Sequence, residues 1–563
     1  MIIYADDYNP IIEYNDKIQS GEIIACLKIK QVYKHIVKNI NNPDFEFEYD
    51  SSQANKAIEF IENFCKHSKG EWGGKPIVLE LWQKAFIAAV FGMVHKVERT
   101  RQYREVFKVV ARKNGKSVEA SGIGLKCLLA DNELGAEIYS VATKRDQAKI
   151  VWDEAVRIVE KQKAFSKRLK CLTGSINYKK KDSFFKPLSS ESKTQDGLNV
   201  HCAIFDEMHA FTDSNLYNVV VDGTSSRRQP LILTITTAGT VRENIYDEKY
   251  AQSEAVINGY SDPNGYKNES FLPVIYELDN RDEYINESAW IKANPNLGVS
   301  KKYDYIRAKI ADAIEFPNRV KNLVCKDFNI RETSEQSWLT FDELFNPAKF
   351  SYEELKPKYG IGGADLSRTN DLTSAVMLFE VPNSDFVFVD SMYWIPEELF
   401  RERIKSDKVP YDKWYDEKLI RLCAGNKINP RDITQWYLEL KNQKGIYLNK
   451  LGYDRYSAQM WVGDMEDNFG KITLPVAQGK MTLSNPMLLM GCDLRSKVIN
   501  YNDNPIMKWC LSNMAVDIDI NGNVQPCKAN NQQQRIDGGA AMLNAYVVYT
   551  DEKKNYRNLI GKK

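Results

Sequence analysis

Residues 111–117 read ARKNGKS, and Lys116 with Ser117 are the residue types that hold a nucleoside triphosphate. An ammonium reaches the β and γ phosphates and a hydroxyl ligates Mg²⁺. The full phosphate-loop pattern is G-x-x-x-x-G-K-[ST], and Val110 stands where its first glycine belongs, so the tripeptide GKS needs support from its surroundings. Arg112 and Lys113 add charge beside the phosphates, and Asn114 and Gly115 complete the turn. Further along, HCAIFDEMHAF ends an apolar run with Asp206, which suits Mg²⁺ held through water. Glu207 follows it as a base that orients an attacking water, although a strand followed by a charged turn gives the same letters. In LTITTAG, Thr236 and Thr237 end another run, where a hydroxyl could sense the γ-phosphate. Gln83 in LELWQKAF carries an amide able to read an adenine edge, and a solvated helix position explains it equally well.

A second constellation is acidic. Asp365 in GGADLS, Asp454 in LGYDRY and Asp537 in RIDGGAA stand at element ends among small residues, with Asp371 close behind the first. Two cations about 4 Å apart on a phosphodiester require several carboxylates drawn from separate segments. Any one such aspartate is more often a turn or capping residue, and it is the joint pattern that points to a metal-dependent nuclease.

These groups need elements to position them. EVFKVVA, AEIYSVA, VHCAIFD and PLILTITT are β-rich, with amphipathic stretches such as SVEASGIGLKCLLA and RDQAKIVWDEAVRIVEKQ between them. That alternation predicts an α/β domain with a parallel sheet, and it sets ARKNGKS between a strand and a helix, where helix N–H groups face phosphate oxygens. The first forty or so residues have helical spacing, a helix is predicted after Ser51 or Ser52 as N-cap, and the stretch from Glu243 to about Ile330 is polar, aromatic and mostly helical. Past it, GIGGADLSRTNDLTSAVMLFEV and FVFVDSMYWIP read as antiparallel strands, then a strand near KLGYDR and a final helix from RIDGGAA, a second α/β domain.

The chain of 563 residues is too long for one core. Lys+Arg 77 against Asp+Glu 76 leaves a net charge of +1, so any surface for a polyanion is local. Lys179, Lys180 and Lys181 and the C-terminal Lys553, Lys554 and Arg557 are the candidates, each also readable as a solvated face. The ten cysteines form no CxxC pair, which disfavours structural zinc and disulfides, and the five histidines form no HExxH. MIIYADDYNP lacks the features of a signal peptide and AFIAAVFGMV is about half a membrane span, so an intracellular protein without a membrane segment is expected.

Taken in order, FCKHSKGEWGGKPIVLELWQKAFIAAVFG, ARKNGKS, ATKRDQAKIVWDEA, DGLNVHCAIFDEMHAF, LTITTAG and GGADLSRTNDLT resemble the large terminase subunits of tailed double-stranded DNA bacteriophages. The resemblance implies a helical lead-in (1–45), a P-loop ATPase domain of the ASCE type (46–332) with a helical lid from about 243, a linker (333–345) and a ribonuclease-H-like nuclease (346–563). It gives Lys116 and Ser117 the Walker A roles, Asp206 and Glu207 those of Walker B and catalytic glutamate, Gln83 that of adenine reader and Thr236 with Thr237 that of the coupling motif. Asp365, Asp454 and Asp537 take the nuclease metal roles, with ATP and Mg²⁺ as cofactors and Mn²⁺ as a substitute in the nuclease site. Double-stranded DNA, a portal protein, a small terminase subunit and further copies of the chain in a ring are the implied partners, in the cytoplasm of an infected host and transiently on the procapsid. An arginine finger is also implied, and Lys193, Arg227 and Arg228 all remain candidates. A helicase or remodelling ATPase whose C-terminal domain only binds DNA, or an assembly protein with a vestigial nucleotide fold, are the alternatives.

Overall fold

The computed structural model describes residues 1–189, 197–211, 214–239, 244–316, 319–332, 337–366, 372–407, 409–455, 459–519, 522–528 and 535–562. They fall into two compact units, one holding the described residues up to Arg331 and the other those from Glu332 onward.

In the first unit eight described strands form one sheet. Their order is Phe271–Ile275, Glu105–Val109, Leu231–Thr236, Val200–Asp206, Glu137–Ala142, Ser183–Ser189, Ser175–Tyr178 and Lys170–Leu172. The first six run parallel and the last two pairings are antiparallel. The central strands read as unbroken apolar runs because both faces are covered, and Val200–Asp206 is buried at every position. Alternate side chains enter opposite cores. Ile204 and Leu233 pack with the helices Lys116–Ala130 and Arg145–Lys161 and with the N-terminal helices Pro10–Gln19 and Leu27–Ile40. Phe205 and Ile232 pack with the helices Asn215–Asp222 and Ile245–Gly259.

Two local expectations are corrected here. The helix Ser51–Phe64 is capped by Asp50, whose carboxylate accepts the Gln53 N–H at 3.0 Å, so Ser51 and Ser52 lie inside it. The stretch expected to be mostly helical also contributes the strand Phe271–Ile275, which pairs with Glu105–Val109. Pro273 has no N–H to give to a ladder, and the strand accommodates it at the sheet edge.

In the second unit the order is Ile420–Cys423, Val387–Pro396, Thr373–Phe379, Tyr359–Asp365, Tyr447–Asp454 and Thr473–Val476, with Ile499–Asn500 also on Val387–Pro396. The three strands from Tyr359 to Pro396 are antiparallel in succession, and Tyr447–Asp454 and Thr473–Val476 continue in parallel, a ribonuclease-H-like arrangement. The 24-residue helix Asp537–Ile560 lies across this sheet. It comes closer than side chains permit: a Cβ on Gly363 would sit 2.2 Å from the Ala541 carbonyl oxygen, and one on Gly452 would sit 2.3 Å from that of Asn544. The Asn544 side chain fixes the approach by donating to the Ala364 carbonyl at 2.9 Å. Among the described residues no helix is long and apolar enough to cross a membrane.

Candidate functional site

The strand Glu105–Val109 and the helix Lys116–Ala130 hold ARKNGKS between them. Lys113 (φ +69°) and Gly115 (φ +83°) both take the left-handed conformation, so the loop turns at these two residues in place of the missing first glycine. Three of its N–H groups are tied down, Val110 to the Thr236 carbonyl (3.1 Å), Ala111 to that of Ala293 (3.3 Å) and Arg112 to that of Lys326 (3.4 Å). What remains is a 15-residue helix whose first turn offers its N–H groups and its positive dipole end. The Lys116 ammonium is buried without a hydrogen-bond partner, 3.8 Å from Glu207 Oε1. Burial lowers its pKa against the pull of Glu207 and Asp206. Ser117 is half-buried, and Arg112 and Lys113 are exposed.

Glu137–Ala142 separates the loop from Asp206 along the chain, but in the sheet it lies on the far side of Val200–Asp206. The strand between the two motifs is Leu231–Thr236, so LTITTAG is brought up beside both. Asp206 is 5% exposed, and burial, then the neighbouring Glu207 charge, pushes its pKa up to about 7. Glu207 sits at φ +54° with its N–H on the Ile235 carbonyl at 3.0 Å. Burial would raise its carboxyl too, but Lys116, His209 and Arg112 together hold it below the usual range. His209 Nδ1 lies 3.1 Å from Glu207 and 3.2 Å from the Thr236 hydroxyl, linking Glu207 to Thr236. The sequence reading missed His209, although it stands two residues after Glu207 in DEMHAF. Thr237 is fully buried.

Gln83 lies beside the loop, its Nε2 being 3.8 Å from where a Cβ on Gly115 would stand. Its carbonyl oxygen accepts the Glu80 N–H at 3.1 Å and closes a capping box on the helix Leu81–Gly92. Asn114 is fully buried and turned away from the helix mouth: its side chain bonds the Ala111 carbonyl, Asn294 and the Asn296 N–H. Its side chain is thus engaged with the loop itself and with the segment 294–296. Arg227 is spent within the domain, on Glu133 (2.8 Å) and on the carbonyls of Leu134, Gly135 and Asn199, which leaves it unsuited to reach another subunit. Arg228 is exposed, 3.9 Å from Glu98, and Lys193 lies outside the described residues.

In the second unit Ala364 and Tyr453 are register partners on parallel strands, so Asp365 and Asp454, one residue further, end neighbouring strands at the same level. Both are half-buried. Asp537 is the first residue of the long helix and is 5% exposed. Arg535, just before it, is anchored by two bonds to the fully buried Asp407 carboxylate, at 2.8 and 3.1 Å. The Cys510 thiol is pushed well above its usual range, first by burial and then by the charge of Asp537, with a further push from Asp365. Asp371 lies outside the described residues. Among the described residues no three His, Cys, Asp or Glu side chains converge closely enough to hold a metal ion. Of the three aspartates expected to hold a metal, register aligns Asp365 with Asp454, and Asp537 heads the helix packed against the same sheet. Of the proposed DNA contacts, Lys179 and Lys180 are exposed, Lys181 is half-buried and Lys554 is exposed. Lys553 covers the Tyr549 ring, and Arg557 is bonded to the buried Glu380 at 2.7 and 3.0 Å, which removes it from the set.

A phosphate loop facing an Asp-Glu pair across one intervening strand defines a nucleoside-triphosphatase unit, and a ribonuclease-H-like sheet ending in aspartates defines a nuclease unit. Both have family counterparts. Residues 81–255 match the model of the terminase large subunit ATPase domain, and residues 266–552 match that of the terminase large subunit endonuclease domain. The chain belongs to the terminase large subunit family, and it is an ATPase and a nuclease that serves DNA packaging. The endonuclease match begins inside the first compact unit, which runs to Arg331. The terminase large subunit of Enterobacteria phage HK97 is 25% identical over 511 residues, covering 87% of this chain and 94% of that protein. That of Lactococcus phage p2 is 21% identical over 558 residues, 95% and 98% of the two chains. The crystal structure of the HK97 bacteriophage large terminase covers 88% of this chain and 99% of its own at 22% identity, with a TM-score of 0.47.

Proposed function

We propose that this chain is the motor and scissors of a phage packaging machine: it hydrolyses ATP to drive double-stranded DNA through a portal protein into a procapsid, and it cuts the concatemer. One observation carries the motor reading, the buried Lys116 ammonium without a hydrogen-bond partner, 3.8 Å from Glu207, with the crowded Asp206 beside it. An ammonium held there has a carboxylate where a phosphate oxygen would serve, and the helix N-terminus beside it supplies N–H donors. When nucleotide enters, Lys116 exchanges Glu207 for phosphate, and Glu207 is released to orient the attacking water. Arg112, Lys113 and the Gly115 backbone line the phosphates, and Gln83 faces the base. Ser117 and Asp206 are the groups that would hold Mg²⁺. An aspartate kept protonated up to about 7 by burial and a like charge is one that a cation would restore to the charged form. Thr236 and Thr237 report the occupant to the neighbouring strands through His209.

For the nuclease, Asp365, Asp454 and Asp537, with Asp371 as a fourth, are proposed as the carboxylates of two-metal cleavage. The hard oxygen donors suit Mg²⁺ or Mn²⁺. A bound divalent cation would supply charge neutralisation at the phosphodiester and at the attacking and leaving oxygens. The reading rests on strand register and on the family's nuclease domain. A ring of copies, a small terminase subunit and transient residence on the procapsid in the host cytoplasm complete the proposal.

The test is incubation of purified protein with supercoiled plasmid and Mg²⁺ or Mn²⁺, wild type against Asp365→Ala, with ATP hydrolysis of wild type against Lys116→Ala alongside. Metal-dependent cutting lost in the first variant and hydrolysis lost in the second support it. Cutting unaffected by Asp365→Ala sinks the nuclease assignment.

A further inference from the structure

Behind the phosphate loop lies a buried polar chain that touches no reacting group. Asn114 Nδ2 donates to the Ala111 carbonyl at 3.0 Å and to Asn294 Oδ1 at 3.1 Å, and Asn114 Oδ1 accepts the Asn296 N–H at 3.0 Å. Asn294 donates to the carbonyls of Trp290 and Asp327 at 3.1 and 2.8 Å, and its Oδ1 also accepts from Lys301 at 2.8 Å. Lys301 in turn pairs with Asp327 at 2.8 Å, and Asp327 with Lys309 at 2.7 Å. Asn296 accepts from the Trp82 indole at 2.8 Å. The Ser300 hydroxyl bonds the Lys113 carbonyl at 2.6 Å, so the residues around the loop's two left-handed positions are tied to the segment 294–301. Asn114 and Asn294 are both 0% exposed.

A loop with Val110 in place of its first glycine, and with a non-glycine residue held at positive φ, does not take its phosphate-ready shape by intrinsic preference. Something must hold it there. We infer that Asn114 is the positioning residue that does so: its carboxamide, clamped by Asn294 and Asn296, fixes the loop for phosphate without touching the nucleotide. Both N–H donors and the oxygen of that carboxamide are engaged, one donor also reaching the carbonyl of the exposed Arg112 at 3.3 Å, and Ala111, Asn294 and Asn296 are buried, so removing it strands groups that cannot turn to water. The inference rests on the nucleotide reading of this loop and adds to it the residues that make a deviant loop competent.

The experiment titrates full-length protein with a fluorescent ATP analogue and Mg²⁺, and follows single-turnover ATP hydrolysis at saturation and thermal unfolding. The proteins are wild type, Asn114→Ala, Asn294→Ala, the double variant and Lys116→Ala. Asn114→Ala is expected to weaken binding about ten-fold while the saturated single-turnover rate changes less than three-fold, since the loop's phosphate contacts are shared by ground and transition states. Asn294→Ala weakens binding to a similar degree, and the double variant is no worse than the stronger single one. Asn294→Ala reads the same contact from the other side should Asn114→Ala fail to fold. Binding present in wild type, lost in Lys116→Ala and intact in both asparagine variants overturns this inference alone. Binding absent from wild type and Lys116→Ala alike overturns the nucleotide reading and the inference with it.

Discussion

The two sites reach their carboxylates by opposite routes. In the ATPase unit Asp206 and Glu207 are adjacent in sequence, deeply placed and electrostatically entangled with Lys116 and His209. In the nuclease unit the proposed carboxylates Asp365, Asp454 and Asp537 come from three distant segments, which strand register and glycine-to-helix contact bring to one sheet. The first site is built by side chains acting on one another, the second by packing of the elements that carry them. Damage to a charge should therefore silence the first at once, whereas the second should be open to damage through elements that bear no charge.

The largest expected effect sharpens the side-chain half of this contrast. Lys116→Ala should abolish nucleotide binding, and Glu207→Gln should keep binding while slowing hydrolysis by about 10²- to 10⁴-fold, the usual span for a lost general base. Hydrolysis and analogue binding measured side by side give the answer. Equal loss of binding in both variants would mean that Glu207 shapes the pocket rather than orients water.

Next in size, Asp365→Ala should reduce plasmid cutting to background in Mg²⁺ and Mn²⁺ while analogue binding through Lys116 stays at the wild-type level. A concurrent loss of nucleotide binding would break the picture of two separately built sites.

A pH effect follows from the crowding at Asp206. An unfolded aspartate titrates near 3.9, and in the folded protein burial and then Glu207 hold Asp206 protonated up to about 7. Between these values the folded form binds more protons than the unfolded one, so this group's contribution to stability falls as pH rises from about 4 to about 7. The full difference is on the order of 4 kcal/mol. In EDTA, the melting temperature of Asp206→Asn should therefore gain on wild type as pH is raised from 5 to 8. A constant gap between the two curves would remove the crowding argument.

How much of this was legible in the sequence follows the same division. Strands covered on both faces announce themselves, as VHCAIFD and LILTITT do, and a loop between strand and helix is a local pattern. The neighbours of a strand are not local: the sheet inserts Leu231–Thr236 between the two nucleotide motifs, and nothing in AEIYSVA says that it lies outside them. Phe271–Ile275 was hidden because Pro273 argues against a strand unless the strand is known to be an edge. Arg227 and Arg557 looked available as charges, and only the fold brings the carbonyls around Leu134 and the buried Glu380 to them. Asn294 and Asn296 carry no motif, since their partner Asn114 is far away along the chain.

The smallest expected effect tests the packing half of the comparison. Gly452 has no catalytic group, yet a Cβ there would stand 2.3 Å from the Asn544 carbonyl oxygen and 2.9 Å from a Val548 methyl. Backbone cannot yield as a flexible side chain can, so Gly452→Ala must push the helix Asp537–Ile560 off the sheet or bend the strand two residues before Asp454. The cost should be about 1–3 kcal/mol, as for other overpacked interiors. Because the helix begins with Asp537, the same displacement should lower plasmid cutting more than it lowers stability, with ATP-analogue binding untouched. Gly463, around which no atom stands within 4 Å of an added Cβ, supplies the control. If Gly452→Ala and Gly463→Ala cut alike, close helix approach is not what aligns the nuclease carboxylates, and the two sites differ less in construction than their geometry implies.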